Sequence, residues 1–135
     1  MKLLTTFVAI ILTSFTSSEL HAAELTCNMS QYSGAGNKRD IQAIVPAQSI
    51  HTVDENSARM NGTNAVGTVE RKAGVMMITY FDRLNRVGDV EIKYEFNKSN
   101  GKVLVRTRGL RSQPWEEDYP ERSGKFSIRG ICNLR

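Results

Sequence analysis

The chain has 135 residues, with 18 lysines and arginines against 14 aspartates and glutamates, a net charge of +4, and two cysteines. That length holds one ordinary domain, and no histidine–cysteine cluster has metal-ligand spacing, so a structural zinc site is excluded. The basic surplus is either ordinary solubility charge or a bias toward anionic partners such as lipid headgroups, polyanionic glycans or nucleic acid.

The first segment reads as a removable export signal. Lys2 precedes the apolar run Leu3 to Leu12, and a polar stretch then ends in Leu20-His21-Ala22-Ala23. Charged, apolar and small-residue regions in that order define a secretory leader, and the apolar run is too short to span a bilayer. Cleavage after Ala22 leaves residues 23–135 as a single β-domain, and removing Lys2 with Glu19 leaves the net charge unchanged. No later apolar stretch is long enough for a transmembrane segment. The expected location is therefore periplasmic or secreted.

After the leader, Leu25, Cys27 and Met29 share one face of a first strand. Gln31 to Arg39, with Ser33-Gly34-Ala35-Gly36-Asn37, reads as a mobile loop. Asp40 to Val45 and Ser49 to Val53 read as two short strands, or one interrupted at Pro46, which cannot donate to a ladder. A single helical turn is expected at most near Asp54 to Met60. Ala65 to Glu70 is a short strand, and Lys72-Ala73-Gly74 a tight turn. Gly74 to Phe81 is rich in β-formers and apolar on both faces for part of its length, as in a central strand or one covered by a loop.

The clearest pattern runs from Asp89 to Asn97. Val90, Ile92, Tyr94 and Phe96 alternate with Glu91, Lys93 and Glu95, the period of a half-buried strand. Asn100-Gly101 then suits a hairpin turn. The return strand, Lys102 to Arg108, turns Val103, Val105 and Thr107 inward and leaves Leu104, Arg106 and Arg108 outside. In the last strand Phe126, Ile128, Gly130 and Cys132 share a face.

Cys27 and Cys132, the only cysteines, thus sit on the apolar faces of the first and last strands. Export and two cysteines together predict one disulfide between strands lying side by side. The fold expected is all-β, a small single-domain antiparallel β-barrel closed by that disulfide, with a two-sheet β-sandwich as the alternative.

Chemistry-bearing constellations are sparse. His51 is the lone histidine after processing, no nucleophile motif is present, and no catalytic residue, cofactor or metal is assigned. Glu116, Glu117, Asp118 and Glu121 match no established calcium loop and read as a solvated acidic loop. Lys102, Arg106, Arg108 and Arg111 follow one another with no intervening acid. Arg106 and Arg108 either meet phosphate or sulfate groups or pair with Glu91 and Glu95 across the hairpin. Trp115 and Tyr119 lie in the adjoining Pro-bounded loop, as apolar anchors or as a plug over one barrel end. The candidate ligand-binding set is therefore Arg106, Arg108, Arg111, Trp115 and Tyr119. The function expected is a non-enzymatic envelope binding protein with an anionic lipid, glycan or protein partner. Nucleic acid is disfavoured, because little beyond the stripe supports it.

In layout the chain resembles small uncharacterised exported proteins of Gram-negative bacteria. The likeness is carried by Leu25-Thr26-Cys27, by Tyr94 to Lys102, and by Ser127-Ile128-Arg129-Gly130-Ile131-Cys132. It implies a periplasmic β-domain with a terminal cysteine pair and specifies no ligand. A shorter piece, Ser57-Ala58-Arg59-Met60, resembles periplasmic lysozyme inhibitors. Met60 stands where an aromatic residue is expected, and the serine-rich inhibitory loop is missing. Inhibition of a lysozyme-type envelope hydrolase is the alternative function that this likeness implies.

Overall fold

The computed structural model describes residues 22–111 and 119–135. The expected export segment lies outside these residues except for Ala22, as do Trp115, Glu116, Glu117 and Asp118. In chain order the elements are β1 (Ala23–Gly34), α1 (Lys38–Ile44), β2 (Gln48–Val53), β3 (Ser57–Met60), β4 (Val66–Lys72), β5 (Val75–Leu84), β6 (Gly88–Asn97), β7 (Lys102–Gly109) and β8 (Phe126–Leu134). A single 3-10 turn, Pro120–Arg122, precedes β8.

Each strand pairs antiparallel with the next, and β8 returns to pair with β1, so the sheet closes into an eight-stranded up-and-down barrel. Closure decides between barrel and sandwich, and it leaves no free sheet edge. Cys27 stands directly opposite Cys132 across the closing pair, and the two form a disulfide with their Cα atoms 4.1 Å apart. Glu24 and Arg135 exchange both main-chain hydrogen bonds. Counting in twos from them, the cysteines occupy a site without such bonds, where side chains come closest. A disulfide of this kind fits a non-cytoplasmic compartment.

Alternation sets the inside. Val90, Ile92, Tyr94 and Phe96 from β6, Val103, Val105 and Thr107 from β7, and Ile128 and Cys132 from β8 are all buried. Eight strands enclose an interior just wide enough for side chains to fill. Tyr80, Tyr94, Met76, Ile78, Ile92 and His51 supply much of that filling. The outward positions of β6 and β7 carry Glu91, Lys93, Glu95, Arg106 and Arg108, so these strands reverse the pattern of a membrane-spanning barrel. No helix among the described residues is long and apolar enough to cross a membrane.

Three local expectations are corrected. Asp40 to Val45 is not a strand, because α1 occupies Lys38–Ile44. Asn37 caps it by accepting the Arg39 N–H, and Ile41, Ile44 and Val45 form a buried stripe that joins the core. The Tyr32 hydroxyl donates to the Val45 carbonyl at 2.8 Å and ties the helix end to β1. Gln31 to Arg39 is consequently not one loop, since β1 continues to Gly34 and α1 begins at Lys38. The helical turn expected near Asp54 to Met60 is instead a tight turn, in which Asp54 N–H donates to the Ser57 carbonyl, followed by β3. Ala58 and Met60 point inward from that strand, and their burial outweighs any local helical preference.

Two turns follow the sequence reading in different ways. Ala73 and Gly74 have φ of 43° and 80°, the doubly left-handed geometry of a two-residue hairpin. At the β6–β7 hairpin only Gly101 is left-handed, at φ 73°, and Gly101 N–H donates to the Asn97 carbonyl across a longer loop. On β5, Phe81 remains 57% exposed, and Met77, four residues earlier on the same face, is half-buried.

Candidate anion-binding face

Two groups of polar side chains stand out, one inside the barrel and one outside. Inside, the His51 ring lies between Ser49 and Tyr80. Its Nε2 is 2.9 Å from Ser49 Oγ, and its Nδ1 is 2.7 Å from the Tyr80 hydroxyl. Tyr94 packs edge-on against His51 at 4.8 Å between ring centroids, and against Tyr80 at 5.9 Å. Burial pushes the His51 pKa down to about 4 and raises those of Tyr80 and Tyr94. Ser49 is the neighbour that favours an ionised Tyr94, yet no group among the described residues meets the Tyr94 hydroxyl in hydrogen-bonding geometry. The histidine read from the sequence as structural or surface-lying is fully enclosed, with both ring nitrogens occupied. A neutral ring suits this place, one nitrogen donating and the other accepting.

The outer group lies on β6, β7 and β8. Lys102, Leu104, Arg106 and Arg108 point outward from β7, because Val103, Val105 and Thr107 fill the core. Thr107 is fixed twice, donating to the Gly124 carbonyl at 2.7 Å and accepting from Phe126 N–H at 3.0 Å. On the neighbouring strand Arg129 stands opposite Leu104, Ser127 opposite Arg106, and Ile131 opposite Lys102. Arg108 is the next outward position of β7, and Lys125, immediately before β8, borders the same hollow.

The register of β8 depends on Gly130. Its backbone runs so close to β1 that a Cβ there would lie 2.2 Å from the Asn28 carbonyl oxygen. The bulge between Met29 and Gln31 sits at the same place. Only glycine permits this approach.

Carboxylates reach the face from β6 alone, for β7 and the segment Lys125 to Arg135 contain no acidic residue. Glu91 lies opposite Arg108 and accepts from its Nε and Nη2, both at 3.2 Å. That fork is the leading cause holding the Glu91 carboxyl below its usual range, and it raises the Arg108 pKa in turn. Arg106 faces Lys93 directly and reaches diagonally to Glu95, at 3.6 Å. Both outcomes weighed for the arginine stripe therefore bear on one surface, because each ion pair leaves several guanidinium N–H donors unused. Lys93, Lys102, Lys125 and Arg129 form no salt bridge among the described residues.

Two hollows follow the seam. One, of about 570 Å³, is bordered by Lys93, Arg106, Arg108 and Lys125. The other, of about 530 Å³, is bordered by Lys102, Leu104, Arg129 and Ile131.

The four described candidate residues do not line one hollow. Arg106 and Arg108 share the first hollow. Arg111 lines a separate one with Arg83, Val87, Gly88 and Asp89. Tyr119 is exposed beside Pro120–Arg122, with the Arg122 guanidinium 5.1 Å from its ring centre, and Trp115 lies outside the described residues. Glu121, the one described member of the acidic group, is exposed in the 3-10 turn. Lys93, Lys125 and Arg129 were missed. Strand register joins them to Arg106 and Arg108 across a sequence gap, and the acid-free run at the C-terminus was the available signal. Among the described residues, no group of three or more histidine, cysteine, aspartate or glutamate side chains is placed to hold a metal ion.

Fold and face together define a small, disulfide-closed, side-chain-filled up-and-down barrel with one cationic seam. No known family matches the chain, and comparisons with curated proteins and with solved structures find no match.

Proposed function

We propose that this is an exported, non-enzymatic binding protein of the cell envelope that engages an anionic surface or ligand. One observation carries the reading. The β7–β8 seam gathers Lys102, Arg106, Arg108, Lys125 and Arg129 over two adjoining hollows, each bordered by a single carboxylate from β6, Glu91 in the first and Glu95 in the second. Arginine forks match phosphate, sulfate and carboxylate groups, and Glu91 holds Arg108 in place beforehand. The expected export signal and the disulfide support an activity in the periplasm or outside the cell.

The test is binding of the disulfide-bonded protein to anionic and neutral lipid vesicles, lipopolysaccharide and an acidic glycan, at low and high salt. Fluorescence of Trp115, the single tryptophan, provides one readout. Binding to at least one anionic probe should fade with salt and weaken roughly tenfold in Arg106→Ala/Arg108→Ala. Salt-insensitive binding, or unchanged affinity in the double variant, removes the site.

A second reading, inhibition of a lysozyme-type hydrolase, has one observation in its favour. The exposed acidic turn Asp54-Glu55 is pinned at its carbonyls by the Arg71 guanidinium, which presents two carboxylates from a held loop to a basic cleft. Hydrolysis of a cell-wall substrate that runs undiminished at excess protein removes this alternative.

A further inference from the structure

We propose that the seam, on the reading that it binds anions, takes an extended acidic polysaccharide laid lengthwise along β7 and β8. The argument rests on how the cations repeat. Antiparallel register aligns outward positions of the two strands in three rows, Arg106 with Ser127, Leu104 with Arg129, and Lys102 with Ile131, and Arg108 with Lys125, which border the same hollow just beyond the paired segment, makes a fourth. Every row contains a cation. Rows two residues apart lie about 7 Å from each other, so the four extend over roughly 20 Å of the barrel wall. The two hollows lie in series along the same line, the first at the Arg108 end and the second at the Lys102 end. A compact anion would occupy one row. A chain with repeating charge engages all four.

The groups between the cations favour sugar over the other linear or planar polyanions. Asn97 and Asn100 border the second hollow, and each uses its Oδ1 to accept a main-chain N–H, from Ser99 and Lys102 respectively. Their amide N–H groups are left to donate to hydroxyls. Ser127 borders the first hollow and Ser30 the second. No aromatic side chain occupies an outward position of β7 or β8, so among the described residues these strands offer no outward platform of the kind that holds single-stranded nucleic acid by stacking. Membrane surfaces reward a broad apolar face beside the cations. Among the described outward positions of β7 and β8, the apolar side chains are Leu104, half-buried, and Ile131.

The test is chain-length dependence. The disulfide-bonded protein is titrated at low salt with size-fractionated heparin-type oligosaccharides, inorganic phosphate, vesicles of anionic lipid, and single-stranded oligonucleotides of matching length. Affinity for the oligosaccharides should climb with length until the chain covers the four rows, then level off. Lys102→Ala/Arg129→Ala should bring the plateau to a shorter chain, with roughly tenfold weaker binding of long ones and a salt slope lower by about two. Phosphate binding as tight as the longest oligosaccharide overturns the lengthwise arrangement, as does affinity indifferent to length. Oligonucleotides binding as well as the glycans overturn the assignment to sugar. Anionic vesicles binding while oligosaccharides do not overturn this proposal and leave the anion-binding reading standing. If no anionic probe binds, both fail.

Discussion

The barrel gathers polar side chains in two regions that differ in what remains unused. Inside, Ser49, His51 and Tyr80 satisfy one another, and none has surface to offer a ligand. Outside, Arg106 and Arg108 are steadied by Glu95 and Glu91 yet keep spare donors, with cations on either side that form no salt bridge among the described residues. Similar chemistry is structural where it is enclosed and available where register lines it along a wall. Substitutions inside should therefore move stability, and substitutions on the seam should move binding.

The largest expected effect is inside, at the closure. Cys27–Cys132 spans 105 residues of chain, a loop for which the chain-entropy model gives about 5 kcal/mol. Cys27→Ser/Cys132→Ser should lower the free energy of unfolding by about that amount in urea or guanidinium titrations. Reduction of the intact protein should reproduce the change, with mass spectrometry recording the gain of two hydrogens. Equal stability of the oxidised and reduced forms would mean that the strand ladder closes the barrel unaided.

Next comes the enclosed histidine. Its pKa of about 4 in the folded state lies below the ordinary value of 6.5, so the unfolded chain takes up a proton first as pH falls. Stability from a neutral His51 is complete above pH 6.5, declines below it and levels off under about pH 4. The total is about 3 kcal/mol, from one proton and the separation of the two values. Denaturation across that range should show the slope, and His51→Gln should flatten it. Glu91 acts in a lower window, since its carboxyl titrates below 4.5 when paired with Arg108. A His51 ring signal that titrates near neutrality in NMR would contradict the enclosed cluster.

How much of this was legible depended on distance along the chain. The β6–β7 hairpin could be read because strict alternation from Val90 to Phe96 admits one period. Cysteines on the inward faces of the first and last strands foretold the closing pair. The helix Lys38–Ile44 was hidden because its seven residues hold fewer than two full turns, and Ile41 with Ile44 suits more than one reading. The Asn37 cap was the local clue. β3 has four residues, too few for alternation to speak. The site was legible only within β7. Lys125 and Arg129 join Arg106 and Arg108 through register, which no window along the chain contains. Glu91 and Glu95 were visible as partners, but whether pairing would exhaust the arginines depended on geometry.

The smallest expected change in stability belongs to the seam itself, and it sharpens the contrast with the core most. Arg106→Ala/Arg108→Ala should leave the unfolding midpoint unmoved, because exposed ion pairs give back in side-chain entropy and screening most of what they gain. Glu91→Gln is the informative counterpart. It keeps the side-chain shape and an acceptor beside Arg108 but withdraws the carboxylate that competes with an incoming anion. Binding of an acidic probe should tighten by roughly twofold to fivefold, the worth of one exposed pair, while stability near neutral pH falls by no more than about 1 kcal/mol. Weaker binding in Glu91→Gln would show that orienting Arg108 matters more than freeing its charge. Unfolding at markedly lower denaturant would show that the outer ion pairs help hold the barrel shut, erasing the division of labour between wall and core.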